Sequence, residues 1–403
     1  MPSGTFVIAP TPRLKPYGGP AILSYGFRPF FLCGALFATI VIALWLPLFF
    51  GEMTLPNAFA PPVWHAHEML FGFTPAVVTG FLLTAIPNWT GRLPLQGAPL
   101  LALLMVWLVG RIAVAASGMV GWLPTMVLDC AYLLILALVI AREIIAGKNW
   151  RNLAVLAIVA LLFATNLAFH VEAHTTGAAS YAERGAIAAT IGLVMLIGGR
   201  VTPSFTRNWL ARENPGRLPA LPDRFDAAFL IVSVLSLVIW FFAPDAAPTA
   251  ALAIAAAVAQ AARLARWVGW RAWRDPLVLV LHTAYLFIPI GFALHACAVV
   301  HPELVAPSAG VHAWTIGAIG GMILAVMTRA TLGHTGRALK ASRLTVVMYV
   351  AVAVSALARI AAALDSQRSS ELLHLAAAGW VVAFAGFVTI YGPYLARPRR
   401  TSP

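Results

Sequence analysis

Ten histidines stand among few other polar side chains in this 403-residue chain, and their spacing decides what chemistry they can do. The segment Pro61-Pro62-Val63-Trp64-His65-Ala66-His67-Glu68 crowds two imidazoles and a carboxylate together. The paired prolines suit a helix start. On a helix, residues two apart point about 200° apart, so His65 and His67 cannot clasp one metal ion from a regular helix. That geometry predicts His65 on the face of Glu68, and His67 on the face of Leu70 and Phe71. His170 and His174 lie four apart and share a face, as a metal-binding pair would. Imidazole suits copper and zinc alike. His295 near Cys297 is a similar pairing. His282 faces the same way as Tyr285 and Leu286, and its simplest role is a hydrogen bond to a neighbouring helix.

The elements that must position these groups are membrane helices. The chain is 61% hydrophobic and only 10% charged, with a mean hydropathy of +0.86. A soluble domain carries about a quarter charged residues, so lipid must be part of this chain's solvent. A span needs about 20 apolar residues. Such runs fall at 29–51, 65–87, 98–117, 121–146, 150–174, 180–202, 225–243, 247–268, 276–299, 308–330, 342–364 and 371–396. The fold expected is all-α: a polytopic bundle of about twelve transmembrane helices. One transmembrane unit covers 29–396, with tails at 1–28 and 397–403. The first tail is rich in Pro and Gly and lacks the apolar core of a signal peptide, so it reads as cytoplasmic. With the N-terminus inside, only Arg111, Arg184, Arg359 and Arg368 of the 27 Lys and Arg fall toward the outer face. That asymmetry satisfies the positive-inside rule and places both termini in the cytoplasm. The net charge of +13 is thereby explained by topology and anionic lipid headgroups, with no nucleic-acid partner needed.

Three stretches look like copies of one helix hairpin: VWHAHEMLFGFTPAVVTGFLLTAIPNWTGR ending at Arg92, SYAERGAIAATIGLVMLIGGRVTPSFTR ending at Arg207, and AGVHAWTIGAIGGMILAVMTRATLGHTGR ending at Arg337. Aligned on the terminal arginine, His67 and His312 coincide, and the second copy has Ala182 there. The intervening segments also match, pairing Arg111 with Arg359 and Asp129 with His374. Three pseudo-repeats of four helices follow, and membrane sites often form where repeats meet.

His65, His67, His170, His174, His295, His301, His312 and His374 gather toward the outer face, and His282 and His334 toward the inner one. An ionisable residue inside a membrane helix is costly and calls for a partner or a function. His67 and His312, at matching depth on equivalent helices, are expected to meet at a shared centre such as a haem with two axial histidines. Arg111 and Arg359 lie deep in the outer half. Arg111 is open to an ion pair with Asp129. Both arginines are equally open to holding anionic cofactor groups such as haem propionates. His65, Glu68 and His170 are candidate metal ligands alongside them. Glu68, Glu172 and Glu183 are candidate proton groups. The chain has no CxxCH, CxxC, HExxH or phosphate loop, so any haem is non-covalent. Three scattered cysteines, Cys33, Cys130 and Cys297, exclude iron–sulfur clusters and disulfide frameworks.

FRPFF before the first helix, WHAHEMLFGF…GFLLTAIPNWTGR across the second, LHTAY in the ninth and MTRATLGHTGR after the tenth resemble the NnrS family, from about Phe27 to Tyr394. The resemblance implies a multi-pass protein of the bacterial inner membrane associated with denitrification and the response to nitric oxide, containing haem (here b-type) and copper. It points to His65, His67, His282, His312 and His334 as motif histidines. The function expected is binding, transforming or protecting against nitric oxide, whether as an oxidoreductase served by a respiratory electron donor or as a sensor. No dedicated electron-entry domain is present. The alternative is a twelve-helix secondary transporter whose intramembrane His and Arg pass a substrate or metal.

Overall fold

The computed structural model describes residues 17–400, so the first part of the N-terminal tail and residues 401–403 lie outside the described residues. Twelve helices are long and apolar enough to cross a membrane: α1 (Phe27–Phe49), α2 (Pro61–Thr90), α3 (Ala98–Ala115), α4 (Trp122–Ala146), α5 (Trp150–Thr176), α6 (Ser180–Glu213), α7 (Arg224–Phe242), α8 (Ala247–Ala265), α9 (Pro276–Val300), α10 (Ser308–His334), α11 (Arg343–Leu364) and α12 (Ser369–Ala396). No strand occurs among the described residues. Most ends agree with the apolar windows to within a few residues. The exception is α6, which continues well past residue 202. Its polar last turns end the apolar signal without ending the helix. Thr206 turns its hydroxyl back to the Thr202 carbonyl at 2.7 Å, and Leu210 buries itself against Val268, Ala272 and Val278. The Arg271 guanidinium then takes up the carbonyls of Asn214 at 3.1 Å and Pro215 at 2.9 Å, just beyond the helix end.

The three repeat-equivalent helices α2, α6 and α10 run through the middle of the bundle, and with α9 they are the most buried. Two of them are wound irregularly at the same place. A π-helical segment, Glu68–Phe73, starts right after His67 in α2, and another, Ala313–Gly320, starts right after His312 in α10. Wider winding is tolerated in lipid only where the backbone groups it frees find partners. In α2 the Thr74 hydroxyl donates to the Met69 carbonyl at 2.8 Å and the Trp107 indole to the Gly72 carbonyl at 2.9 Å. Gly72 also has a steric role, because a Cβ there would lie 2.6 Å from Phe37 and 2.8 Å from the Arg111 guanidinium. Arg111 can reach α2 only across a residue with no side chain.

Polar cross-braces close the bundle at its arginine-rich end. Arg28, from the FRPFF motif, is buried and donates to the carbonyls of Leu395 at 2.7 Å and Arg397 at 2.6 Å, tying the start of α1 to the end of α12. Arg263 on α8 joins four helices. It binds Asp226 of α7 at 3.1 Å, the Met195 carbonyl of α6 at 3.0 Å and the Tyr285 hydroxyl of α9 at 2.7 Å. At the mouth of this brace Asp223 caps α7 and bonds Arg266, whose guanidinium holds the exposed carboxyl down at about 2.

Hydrogen bonds from a charged donor contribute about 1.5–3 kcal/mol each. Arg28→Ala is therefore expected to lower the thermal midpoint of the detergent-solubilised protein by several degrees, with Arg28→Lys restoring only part of it. A midpoint unchanged in Arg28→Ala would show that the helix end needs no cap.

Candidate functional site

Helix α2 separates two sites. On one side His67 is fully buried and meets α4 and α5. Its Nε2 lies 3.1 Å from Asp129 Oδ2 and 3.2 Å from Asn166 Oδ1. His170 Nε2 approaches the same Asp129 oxygen at 2.9 Å, and the Asn166 amide donates to it at 2.8 Å. The His67 Nδ1 is 2.9 Å from Glu68 Oε1. Arg111 donates to both Glu68 oxygens, at 2.9 and 3.0 Å, and pairs with the second oxygen of Asp129. Phe59, Phe71 and Phe169 pack against the His67 ring and enclose the cluster.

This cluster lacks a positive charge. With neutral imidazoles, Glu68 and Asp129 stand against Arg111 alone. Hydrogen-bond accounting agrees: both nitrogens of His67 face oxygen acceptors, and a neutral imidazole has only one N–H. Arg111 already engages both carboxylates, so a proton or a metal ion has to occupy the space around His67 Nε2. The donor atoms suit a metal. One atom each from His67, Asp129 and His170 lie within 4.8 Å of one another. Tetrahedral bonds of about 2.0–2.1 Å place ligand atoms roughly 3.3 Å apart. Glu68 accepting the Nδ1–H of His67 would fix the tautomer that leaves Nε2 free to bind, the usual outer partner of a metal-bound histidine.

The other side of α2 faces a cavity of about 460 Å³ at the arginine-poor end, walled mainly by apolar side chains. Its polar lining includes His65, Glu183, Ser308, His312 and Arg359, and the Trp45 ring packs tilted on His65 with centroids 4.5 Å apart. His312 Nδ1 donates to the Ser308 carbonyl at 2.7 Å, which leaves its Nε2 with a lone pair. The Nδ1 of His65 and the Nε1 of Trp45 are buried without a hydrogen-bond partner. Among the described residues Arg359 forms no ion pair. Its repeat equivalent Arg111 is satisfied by Glu68 and Asp129, but the corresponding positions in the third repeat are Ala313 and His374. The His374 ring turns away to stack on Phe50.

These placements correct several sequence expectations. His67 and His312 do not meet in one site: His312 shares its cavity with His65, and His67 lies on the opposite side of α2. The 200° between His65 and His67 is preserved, and it is His65 that points to α10. Glu68 joins His67 and Arg111 instead of His65, because it lies about 100° from His67 around the helix, on the side away from Ala66 and Met69, which line the cavity with His65. Leu70 likewise moves to the cavity wall beside His65. The pair His170 and His174 is split, with His174 stacking on Trp122 at 4.2 Å. His282 bonds the Thr206 hydroxyl at 2.8 Å, far from either site, and His334 packs on Phe27 and Tyr25 at the arginine-rich end. His295 is wedged between Trp240 and Trp314. Sequence reading missed Asn166 and gave Asp129 only the role of an ion-pair partner. The signal available was an Asn four residues before His170, on the same face of an otherwise apolar span.

Stoichiometric metal analysis of the purified protein is expected to find one equivalent bound in the native chain. His170→Ala and Asp129→Asn should each weaken binding at least 10- to 100-fold, the range seen even for outer partners. His174→Ala should change nothing. Equal metal content in all four proteins would exclude this cluster as the centre.

No curated protein matches the chain. The family described as NnrS protein matches residues 21–399, a stretch that holds all twelve helices, the His67 cluster and the cavity. The chain belongs to the NnrS family.

Proposed function

We propose that this protein serves the bacterial nitric oxide response as a two-centre inner-membrane protein, with a metal ion at His67, Asp129 and His170 and a b-type haem in the adjoining cavity. The observation that carries the reading is the single Asp129 oxygen shared by two imidazole nitrogens in a buried cluster short of one positive charge. Copper is the metal that the family resemblance favours, and imidazole with carboxylate suits it, as it also suits zinc.

The cavity's residues fit a haem on three counts. The lone pair of His312 and the partnerless nitrogen of His65 are imidazole donors that could hold an iron. Arg359 has no carboxylate of its own, and a propionate would provide one by charge-assisted hydrogen bonding. The walls are otherwise apolar, as a porphyrin face requires. A bound haem would supply a redox-active iron able to interact with nitric oxide. The chain's own groups would hold it: either His65 or His312 would bind the iron and the other would stand free on the wall, Arg359 would neutralise its acid groups, and Trp45 would offer an indole N–H to a polar edge. Glu183, the repeat counterpart of Glu68, leaves a carboxylate on the same wall for proton exchange. In this reading the arginine-rich end and both termini face the cytoplasm, and the cavity faces the periplasmic half. Electrons for any turnover come from a separate respiratory donor.

A transporter is the second reading. A cavity at one end and the Arg263 and Arg28 braces at the other are what an outward-facing carrier would present. The absorption spectrum separates the two, since a carrier is colourless. His65→Ala and His312→Ala are each expected to lose or shift the Soret band, whereas His67→Ala should keep it and lose the metal. A colourless native protein, or a Soret band lost on changing His67 alone, would overturn the assignment.

A further inference from the structure

One turn of α2 serves both sites. His67 and Glu68 belong to the carboxylate cluster, while His65, Ala66, Met69 and Leu70 line the cavity. The two centres are therefore separated by about one helix diameter, roughly 10–12 Å. The barrier between them is apolar side chain and backbone, with little water to screen charge. The charge each site lacks is opposite in sign. The cluster holds Glu68 and Asp129 against Arg111 and needs a cation, whereas Arg359 in the cavity pairs with no acid among the described residues, Glu183 on the same wall included, and is left to an anion.

We propose that occupancy of the two sites is coupled across α2: a metal ion at His67, Asp129 and His170 strengthens binding of a carboxylate-bearing ligand in the cavity, and that ligand strengthens metal binding by the same factor. The proposal rests on the two-site reading above. A divalent ion that takes the place of the proton at His67 raises the cluster's charge by one unit, and so favours an anion on the far side of the helix. At about 12 Å and an effective dielectric of about 20, each unit of charge changes affinity roughly tenfold. Linkage makes the effect reciprocal. Helix α2 can also transmit the change mechanically, because the π-helical segment Glu68–Phe73 carries side chains to both sites.

The test titrates haemin into chelator-stripped protein in detergent, with and without Zn²⁺, a colourless probe that adds no redox chemistry. The Kd for haemin is expected to fall tenfold or more when Zn²⁺ is present. In His170→Ala, which leaves the cavity wall intact, Zn²⁺ should have no effect on that Kd. The same Kd in Zn²⁺-loaded and Zn²⁺-free native protein would overturn the coupling and leave the two sites standing. Failure to bind haemin or Zn²⁺ at all would overturn the coupling and the two-site reading together.

Discussion

The interaction on which this structure depends is the engagement of Arg111 by two carboxylates inside a membrane helix bundle. A lone guanidinium at that depth would be expensive, and so would either acid by itself. Together Glu68, Asp129 and Arg111 satisfy most of each other's demands, and the arrangement fixes three helices at once. Buried ion pairs of this kind contribute less to stability than their Coulomb attraction suggests, because desolvation opposes it. What they supply is definition. Asp129 can present one oxygen to His67, His170 and Asn166 because its other oxygen is held by Arg111. Glu68 can orient His67 for the same reason.

The three repeats show how one scaffold diverged. In the first, the arginine is neutralised by the chain and the surplus acid invites a cation. In the third, the equivalent arginine is retained while both acids are gone, so the site invites an anion. The second has no histidine at the shared position and has Ala182 instead. Its polar investment has moved to the other end of the bundle, where Arg263, Asp226, Gln260, Ser233 and Tyr285 satisfy one another completely. A fully paired network can brace helices but leaves nothing for a ligand. Function survives where pairing is incomplete, at the unmet acceptors around His67 and at Arg359, His65 and Trp45.

Much of the fold could be read directly from the residues, and the reason is the solvent. Hydrocarbon demands apolar spans of a set length, so the twelve helices and the repeat that relates them stand out in hydropathy and in motifs such as WHAHEM and GVHAWT. The sites were harder. His65 and His67 were correctly placed on opposite faces, but which face met α10 is a question of packing, and helical periodicity is silent on it. The partners of Glu68 depended on Arg111 arriving from another helix, which carries no residue signature ahead of the structure. Asp129, Asn166 and His170 lie on two helices, and only tertiary contact makes them a set.

The π segments give the asymmetry of the sites a common origin. Both begin directly after the repeat-equivalent histidine, whereas the second copy, with Ala182 there, stays α-helical. Wider winding costs backbone hydrogen bonds, and in lipid those losses must be repaired by specific partners such as Thr74 and Trp107. Irregular winding of this kind recurs at functional sites because it turns side chains to positions an α-helix cannot offer. In α2 it brings Leu70 onto the cavity wall beside His65, where a regular helix would turn it about 140° away. Glu68 and Met69 need no such help, since neighbours on any helix point about 100° apart. The central helix thus presents a cation-seeking site on one side and an anion-seeking site on the other, and the wider turn completes the wall of the second.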